Sequence, residues 1–257
     1  TDEQRLEDLH NMFADDEVDG IWCIRGGYGV GRILPKINYK LIKKNPKVLI
    51  GYSDTTALLL AVYQKTGLIC FHGPLASSDF SDYAVKHLKG VLMNPQISYT
   101  ISHAKDSDDS KDTAYHSKVI RPGKAKGKLI GGNLTLLAAA VGTDFQPKFK
   151  NKLVFIEDIG EKPYRLDRMF TQVLQSTGLH KAAGIILGVF EDCEVKEGVR
   201  SLTLMEMLKD RLGHLEMPII YGLSLGHIKN QMTLPVGIEA EMDTARRTVQ
   251  LLEKGVS

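Results

Sequence analysis

Leu6, Leu9, Met12 and Phe13 are the apolar positions of an otherwise charged opening stretch, and their spacing predicts an amphipathic helix over residues 2–16. The pattern then changes. VDGIWCI is almost continuously apolar and stops at a cluster of glycines, the profile of a buried strand in a parallel sheet. GRILPKINYKLIKKNP follows as a short helix or helical turns closed by proline. KVLIGYSD is a second apolar strand, TTALLLAVYQKTG a helix ending at Gly67, and LICFHGPL a third strand. Strand, loop, helix and strand in this rhythm predict βαβ units.

The rhythm breaks over residues 101–116, ISHAKDSDDSKDTAYH, which are polar and read as a linker or surface excursion. Beyond it, GKLIGGNLTLLAAAVGT predicts a turn into a helix. NKLVFIED, AAGIILGVFED and MPIIYGLSLGH predict strands, with helices at DRMFTQVLQSTG and SLTLMEMLKDRLG between them. MTLPVGIEAEMDTARRTVQLLE predicts the two strands of a terminal hairpin. Two α/β domains are therefore expected, over residues 1–90 and 118–257, joined by a linker over 91–117.

Composition narrows the function classes. A chain of 257 residues with 43% hydrophobic residues can bury a sizeable core without staples. Its net charge of +2 gives no case for a nucleic-acid or anionic-membrane partner. Cys23, Cys70 and Cys193 are odd in number and far apart, so neither a disulfide frame nor a zinc site is expected. No apolar run approaches the ~20 residues that span a bilayer. The thiol usage, with no leader visible ahead of Thr1, points to the cytoplasm.

The glycine cluster IRGGYGVGR suggests a phosphate loop and fails both tests for one. Counting from Gly27, Arg32 stands where a dinucleotide fingerprint needs its third glycine. Gly26 and Gly31 have P-loop spacing, but Arg32 and Ile33 replace the lysine and hydroxyl residue. Ser53, two residues after Gly51 at a strand-to-helix turn, half matches a nucleophile elbow, with Thr55 in place of the second glycine. Ser53, Asp54 and Thr55 read equally well as helix N-caps. For a base, His227 follows an apolar strand beside Gly226, and His72 is its rival. His10, His87, His180 and His214 lie in helical contexts and are expected to be solvated, and His103 and His116 fall in the polar stretch. An orienting acid could be Glu157 or Asp158, or Glu191 or Asp192, each pair closing an apolar strand.

Five segments in order, IWCIRGGYGVGRILP, IGYSDTTALL, FHGP, LVFIEDIGEKPYRLDRM and YGLSLGH, resemble the serine LD-carboxypeptidase family. That family includes muramoyl-tetrapeptide carboxypeptidases and the related microcin C immunity peptidases. The resemblance implies a Rossmann-like N-terminal domain with a parallel sheet and a smaller α/β C-terminal domain. It also implies a strand and helix ahead of Thr1, so the first strand is expected to be absent from this chain. By the same resemblance Ser53 is the nucleophile, His227 the base and Glu157 the triad acid, while His72 and Glu191 fall to structural roles or to supporting the triad from behind. The oxyanion hole would be the backbone N–H groups of Asp54 and Gly26. The implied substrate is a murein peptide that loses its terminal D-alanine. A homodimer is implied, without metal or cofactor. The substrate carboxylate needs a cationic partner, for which Arg25 and Arg32 are candidates, although arginines at loop ends also serve as surface ion-pair partners. An immunity-type peptidase acting on an acyl nucleotide is the second reading. It calls for extra aromatic contacts, and the single tryptophan, Trp22, is expected in a buried strand. A non-catalytic small-anion binder is the third.

Overall fold

The computed structural model describes residues 1–104, 116–196 and 198–256. Most of the expected polar excursion, residues 105–115, lies outside the described residues.

The chain opens with α1 (Asp2–Ala14), started by a capping box in which Thr1 and Gln4 satisfy each other's backbone N–H groups. Leu6, Leu9 and Phe13 are its buried face, while Met12 is 47% exposed, so the apolar stripe is narrower than the spacing suggests. Then come β1 (Gly20–Trp22), α2 (Val30–Ile33), α3 (Tyr39–Lys44), β2 (Val48–Gly51), α4 (Thr56–Thr66) and β3 (Cys70–His72). α4 ends at Gly67, whose φ of 79° is left-handed backbone that glycine adopts without steric cost. β1, β2 and β3 pair in parallel, as the βαβ rhythm requires. The pattern did not announce the next two elements, α5 (Asp82–Leu92) and β4 (Tyr99–Ser102).

After the polar stretch come β5 (Lys118–Arg121), β6 (Lys124–Asn133), α6 (Leu134–Ala139), β7 (Lys152–Ile159), α7 (Pro163–Ser176), β8 (Gly184–Glu191), α8 (Leu204–Leu212) and β9 (Ile219–Tyr221). The chain closes with β10 (Leu234–Val236), β11 (Glu239–Asp243) and β12 (Thr248–Leu251). Among the described residues one sheet has four strands in the order β1-β2-β3-β10, and the other eight in the order β4-β12-β11-β6-β7-β8-β9-β5. β6 to β9 are parallel, and antiparallel strands flank them.

Four expectations are corrected. GKLIGG is not a turn but the second half of β6, and its glycines are there for packing. A side chain at Gly131 would lie 1.8 Å from the Phe155 carbonyl oxygen, and one at Gly132 would lie 2.5 Å from Thr56. MTLPVGIEAEMD is two strands rather than one. Gly237, at φ 107° and with its α-carbon against the Tyr63 ring, turns the chain from β10 in the first sheet to β11 in the second. Trp22 is 40% exposed, not buried, its indole N–H donating to the Pro74 carbonyl and its ring edge-on to Phe80. His87 is buried rather than solvated, with Nδ1 3.0 Å from the Tyr99 hydroxyl.

Two apolar clusters hold the elements together. One is built from α1, α3, α4 and the inner faces of β1 and β2. The larger one runs through the second sheet and takes in Ile50, Phe71 and Leu234 of the first. Because β10 pairs with β3 through Leu234↔His72, the late chain is stitched into the first sheet. That stitching brings the C-terminal strand ends β2 and β3 beside the end of β7.

Candidate active site

β2 ends at Gly51, where a side chain would lie 3.0 Å from Thr55 Cγ2 and 3.1 Å from Cys23 Cβ. Glycine therefore lets the chain turn sharply into α4. Ser53 sits on that turn at φ 63°. Left-handed backbone costs a non-glycine residue roughly 1–3 kcal/mol, and such strain collects at functional sites. The capping reading of these residues is not realised at α4, which has no side-chain cap bond. Asp54 turns the other way, its carboxylate accepting from the Val30 N–H at 2.9 Å. This bond ties the start of α2, and with it the glycine loop, to the Ser53 turn. Burial raises the Asp54 pKa, opposed by the Val30 hydrogen bond and the charge of Arg5.

The glycine loop lies directly against Ser53. A side chain at Gly26 would stand 2.8 Å from Ser53 Oγ and 3.5 Å from the Asp54 backbone nitrogen. Only glycine admits this approach without moving the serine. The flanking arginines part company. The Arg25 guanidinium lies over Gly27, 3.3 Å from where its side chain would begin. Arg32 instead pairs with Asp2 at 2.9 Å, and Asp2 also holds Arg5.

β7 carries Glu157. Glu157 is fully buried, and His227 Nδ1–H donates to its Oε2 at 2.8 Å, which fixes the imidazole with Nε2 free to accept. His227 is 14% exposed, and its ring lies edge-on to Tyr52 with centroids 4.7 Å apart. Tyr52 precedes Ser53, so this ring contact joins the serine turn to the Glu157–His227 pair. Burial, with the Glu157 charge behind it, raises the Tyr52 pKa. Gly226, at φ 127°, brings the histidine loop onto the second sheet. A side chain there would lie 2.7 Å from the Val189 carbonyl oxygen and 3.4 Å from Glu157 Cβ.

The rivals have other places. His72 is wholly buried between Tyr52 and Phe155, and burial pushes its pKa down to about 4. Asp158 points away from His227. It accepts from Asn133 Nδ2, from the Thr135 N–H and hydroxyl, and from the Ile159 N–H, anchoring the start of α6. Its pKa is pushed up to about 6, burial outweighing those hydrogen bonds. Glu191 is the register partner of Ile159 at the strand end, and Asp192 occupies a left-handed turn at φ 52°. Sequence reasoning missed Tyr52 and Asn133. The Asn133 side chain accepts from the Leu136 N–H, and its position pairs with Glu157. A short polar residue between GG and an apolar helical run was the available signal.

Among the described residues no group of three or more His, Cys, Asp or Glu side chains is placed to hold a metal ion. No helix among them is long and apolar enough to cross a membrane.

Residues 1–73 match the LD-carboxypeptidase N-terminal domain, and residues 126–242 match the LD-carboxypeptidase C-terminal domain. A probable murein peptide carboxypeptidase of Bacillus subtilis (strain 168) is 40% identical over 261 residues, covering 100% of this chain and 78% of its own. The solved structure of a muramoyltetrapeptide carboxypeptidase from Oxalobacter formigenes superposes with a TM-score of 0.81 at 30% identity, over 98% of this chain and 82% of that one. The microcin C7 self immunity protein MccF gives a TM-score of 0.88 at 27% identity, over 100% of this chain and 82% of its own.

Proposed function

The chain belongs to the LD-carboxypeptidase family, and on that premise we propose that Ser53, His227 and Glu157 release the terminal D-alanine of a murein tetrapeptide by serine-type hydrolysis. The observation that carries this reading is the meeting of a strained Ser53, a glycine backbone against its Oγ and a buried Glu157–His227 pair beside Tyr52.

Ser53 Oγ attacks the amide carbonyl carbon, and its proton passes to His227 Nε2. Glu157 holds the imidazole in the tautomer this needs and stabilises the imidazolium. The carbonyl oxygen, now negative, is stabilised by the backbone N–H groups of Asp54 and Gly26, worth about 3 kcal/mol each in sites of this kind. His227 returns its proton to the amine of the departing D-alanine as the C–N bond breaks. Water then attacks the ester on Ser53 with His227 again taking a proton, which it returns to Ser53 Oγ as the ester C–O bond breaks and the shortened peptide leaves. We assign the substrate's terminal carboxylate to Arg25, whose guanidinium lies on the glycine loop, and leave Arg32 to its ion pair with Asp2. A homodimer is proposed from the family resemblance and the cytoplasm from the thiol usage, and light scattering in solution tests the dimer.

Incubation with a murein tetrapeptide, followed by mass spectrometry, should show loss of one alanine residue. An unchanged tetrapeptide would overturn the reading. The immunity-type alternative is supported by the likeness to MccF. The exposure of Trp22 removes one objection to it, but the indole N–H is already committed to Pro74. Hydrolysis of an aminoacyl sulfamoyl nucleoside in preference to the tetrapeptide would favour that alternative.

A further inference from the structure

Behind the acid–base pair lies a set of buried polar atoms that the reaction does not use. Glu157 Oε2 is occupied by His227, but Oε1 is buried with no hydrogen-bond partner among the described residues. Both ring nitrogens of His72 are in the same condition, as are the Thr233 hydroxyl and the Gln231 side-chain nitrogen. An unpaired carboxylate oxygen is costly in an interior, and so is an unpaired imidazole. The two are chemically complementary, one an acceptor only and the other a donor in its neutral form.

They are also neighbours. The His72 ring packs edge-on against Phe155 at 5.2 Å, and Phe155 and Glu157 share a face of β7 because they are two residues apart in a strand. The ring also lies 6.0 Å from Tyr52, which in turn touches His227. Thr233 immediately precedes Leu234, the register partner of His72. The separation exceeds direct hydrogen-bonding distance, and a cluster of buried groups with unfilled polar atoms is where ordered interior water is found.

We propose that His72 is a positioning residue for the acid. Its neutral imidazole, wedged between Tyr52 and Phe155, supplies across one buried water the second hydrogen bond of Glu157. The carboxylate is thereby held in the one orientation that aligns His227. The proposal rests on the assignment of Glu157 and His227 as the acid–base pair. The charges that bear on His72 are those same two groups, Glu157 favouring its protonation and His227 opposing it, while burial dominates and keeps the ring neutral. One imidazole of the two is therefore reserved for the proton from Ser53.

The test needs no substrate, so its outcome is separate from that of the hydrolysis assay. In protein carrying 15N-labelled histidine, His72 should show a single neutral tautomer between pH 5 and 8, with a slowly exchanging ring N–H. His72→Phe keeps the ring shape but removes the donor, and should raise the titration midpoint of His227 by about one unit, since a lost hydrogen bond to an anion strengthens its hold on the neighbouring proton. His72→Gln keeps a donor and should restore the midpoint. Rapid tautomer exchange of His72 in the unsubstituted protein would overturn the proposal even if His72→Phe failed to fold. So would an unchanged His227 midpoint in His72→Phe, or equal shifts in the two variants.

Discussion

Ser53 stands on the turn after β2 and His227 in the loop after β9, strands of different sheets, and different physics holds each. The serine is fixed by backbone: a left-handed φ of 63°, Gly51 packed under the turn, and Gly26 against Oγ. The histidine is fixed by a side chain, the buried Glu157 2.8 Å from Nδ1. A backbone-built half tolerates no added atom, whereas a side-chain-built half tolerates shape-conserving changes but not a change of charge. Predictions follow from that contrast, the largest effect first.

Ser53→Ala removes the atom both halves serve, and tetrapeptide hydrolysis should fall by about 10⁴-fold or more while circular dichroism stays unchanged. Glu157→Gln keeps the shape but not the charge. It should lower kcat by roughly 10⁴-fold with KM little altered, the signature of a wrong tautomer. A larger loss in Glu191→Gln would transfer the acid's role to the other strand. Gly26→Ala adds one methyl where 2.8 Å separates it from Ser53 Oγ. A loss of about 10²–10³-fold in kcat is expected, from a displaced serine and a spoiled oxyanion site. The same change at Gly31, where an added side chain meets nothing within 4 Å, should be near neutral and serves as the control.

The remaining two predictions concern stability. His72 has its pKa lowered from 6.5 to about 4, so the unfolded chain takes up a proton that the folded chain refuses. The His72 share, roughly 3 kcal/mol, should therefore be constant above about pH 6.5 and be lost as the pH drops toward 4, while Asp158, raised to about 6, binds its proton more tightly in the folded chain and opposes that loss between about pH 6 and 4. His87, lowered in the same direction, adds to this slope. Denaturant unfolding of His72→Gln across that window should show a shallower loss than the unsubstituted protein. Last, Ser53→Gly should raise stability by about 1 kcal/mol in denaturant unfolding while abolishing hydrolysis, because glycine accepts the left-handed turn that serine does not.

The same contrast explains what could be read from the sequence. The serine turn was legible because its glycines are local: Gly51, Ser53 and the cluster at 26–31 announce tight turns and close approaches within a few residues. Spacing alone could not choose His227 over His72, or Glu157 over Asp158. Glu157 and Asp158 differ in which way a strand-end side chain faces, which depends on how β7 sits between β6 and β8. His72 instead ends β3 beside β10 and His227 lies in the loop between β9 and β10, a difference set by long-range packing. The resemblance to a family made the choice, and in the structure Glu157 and His227 are hydrogen-bonded to each other. In the fold, apolar strands with β-branched runs were readable, as was the helix from Thr56. β6 was not, because Gly131 and Gly132 look like a turn until Phe155 and Thr56 are placed against them. The split of β10 from β11 depends on Gly237 meeting Tyr63, a contact between residues far apart in the chain.

The proposed reaction stands on acylation of Ser53 during turnover, which rapid acid quenching with the tetrapeptide, followed by mass spectrometry of the digested protein, detects. An adduct equal in mass to the acyl part of the substrate, the tetrapeptide without its terminal alanine, should map to the peptide that contains Ser53. It should vanish in Ser53→Ala together with alanine release. Undiminished alanine release by Ser53→Ala, or an adduct on another residue, would contradict it.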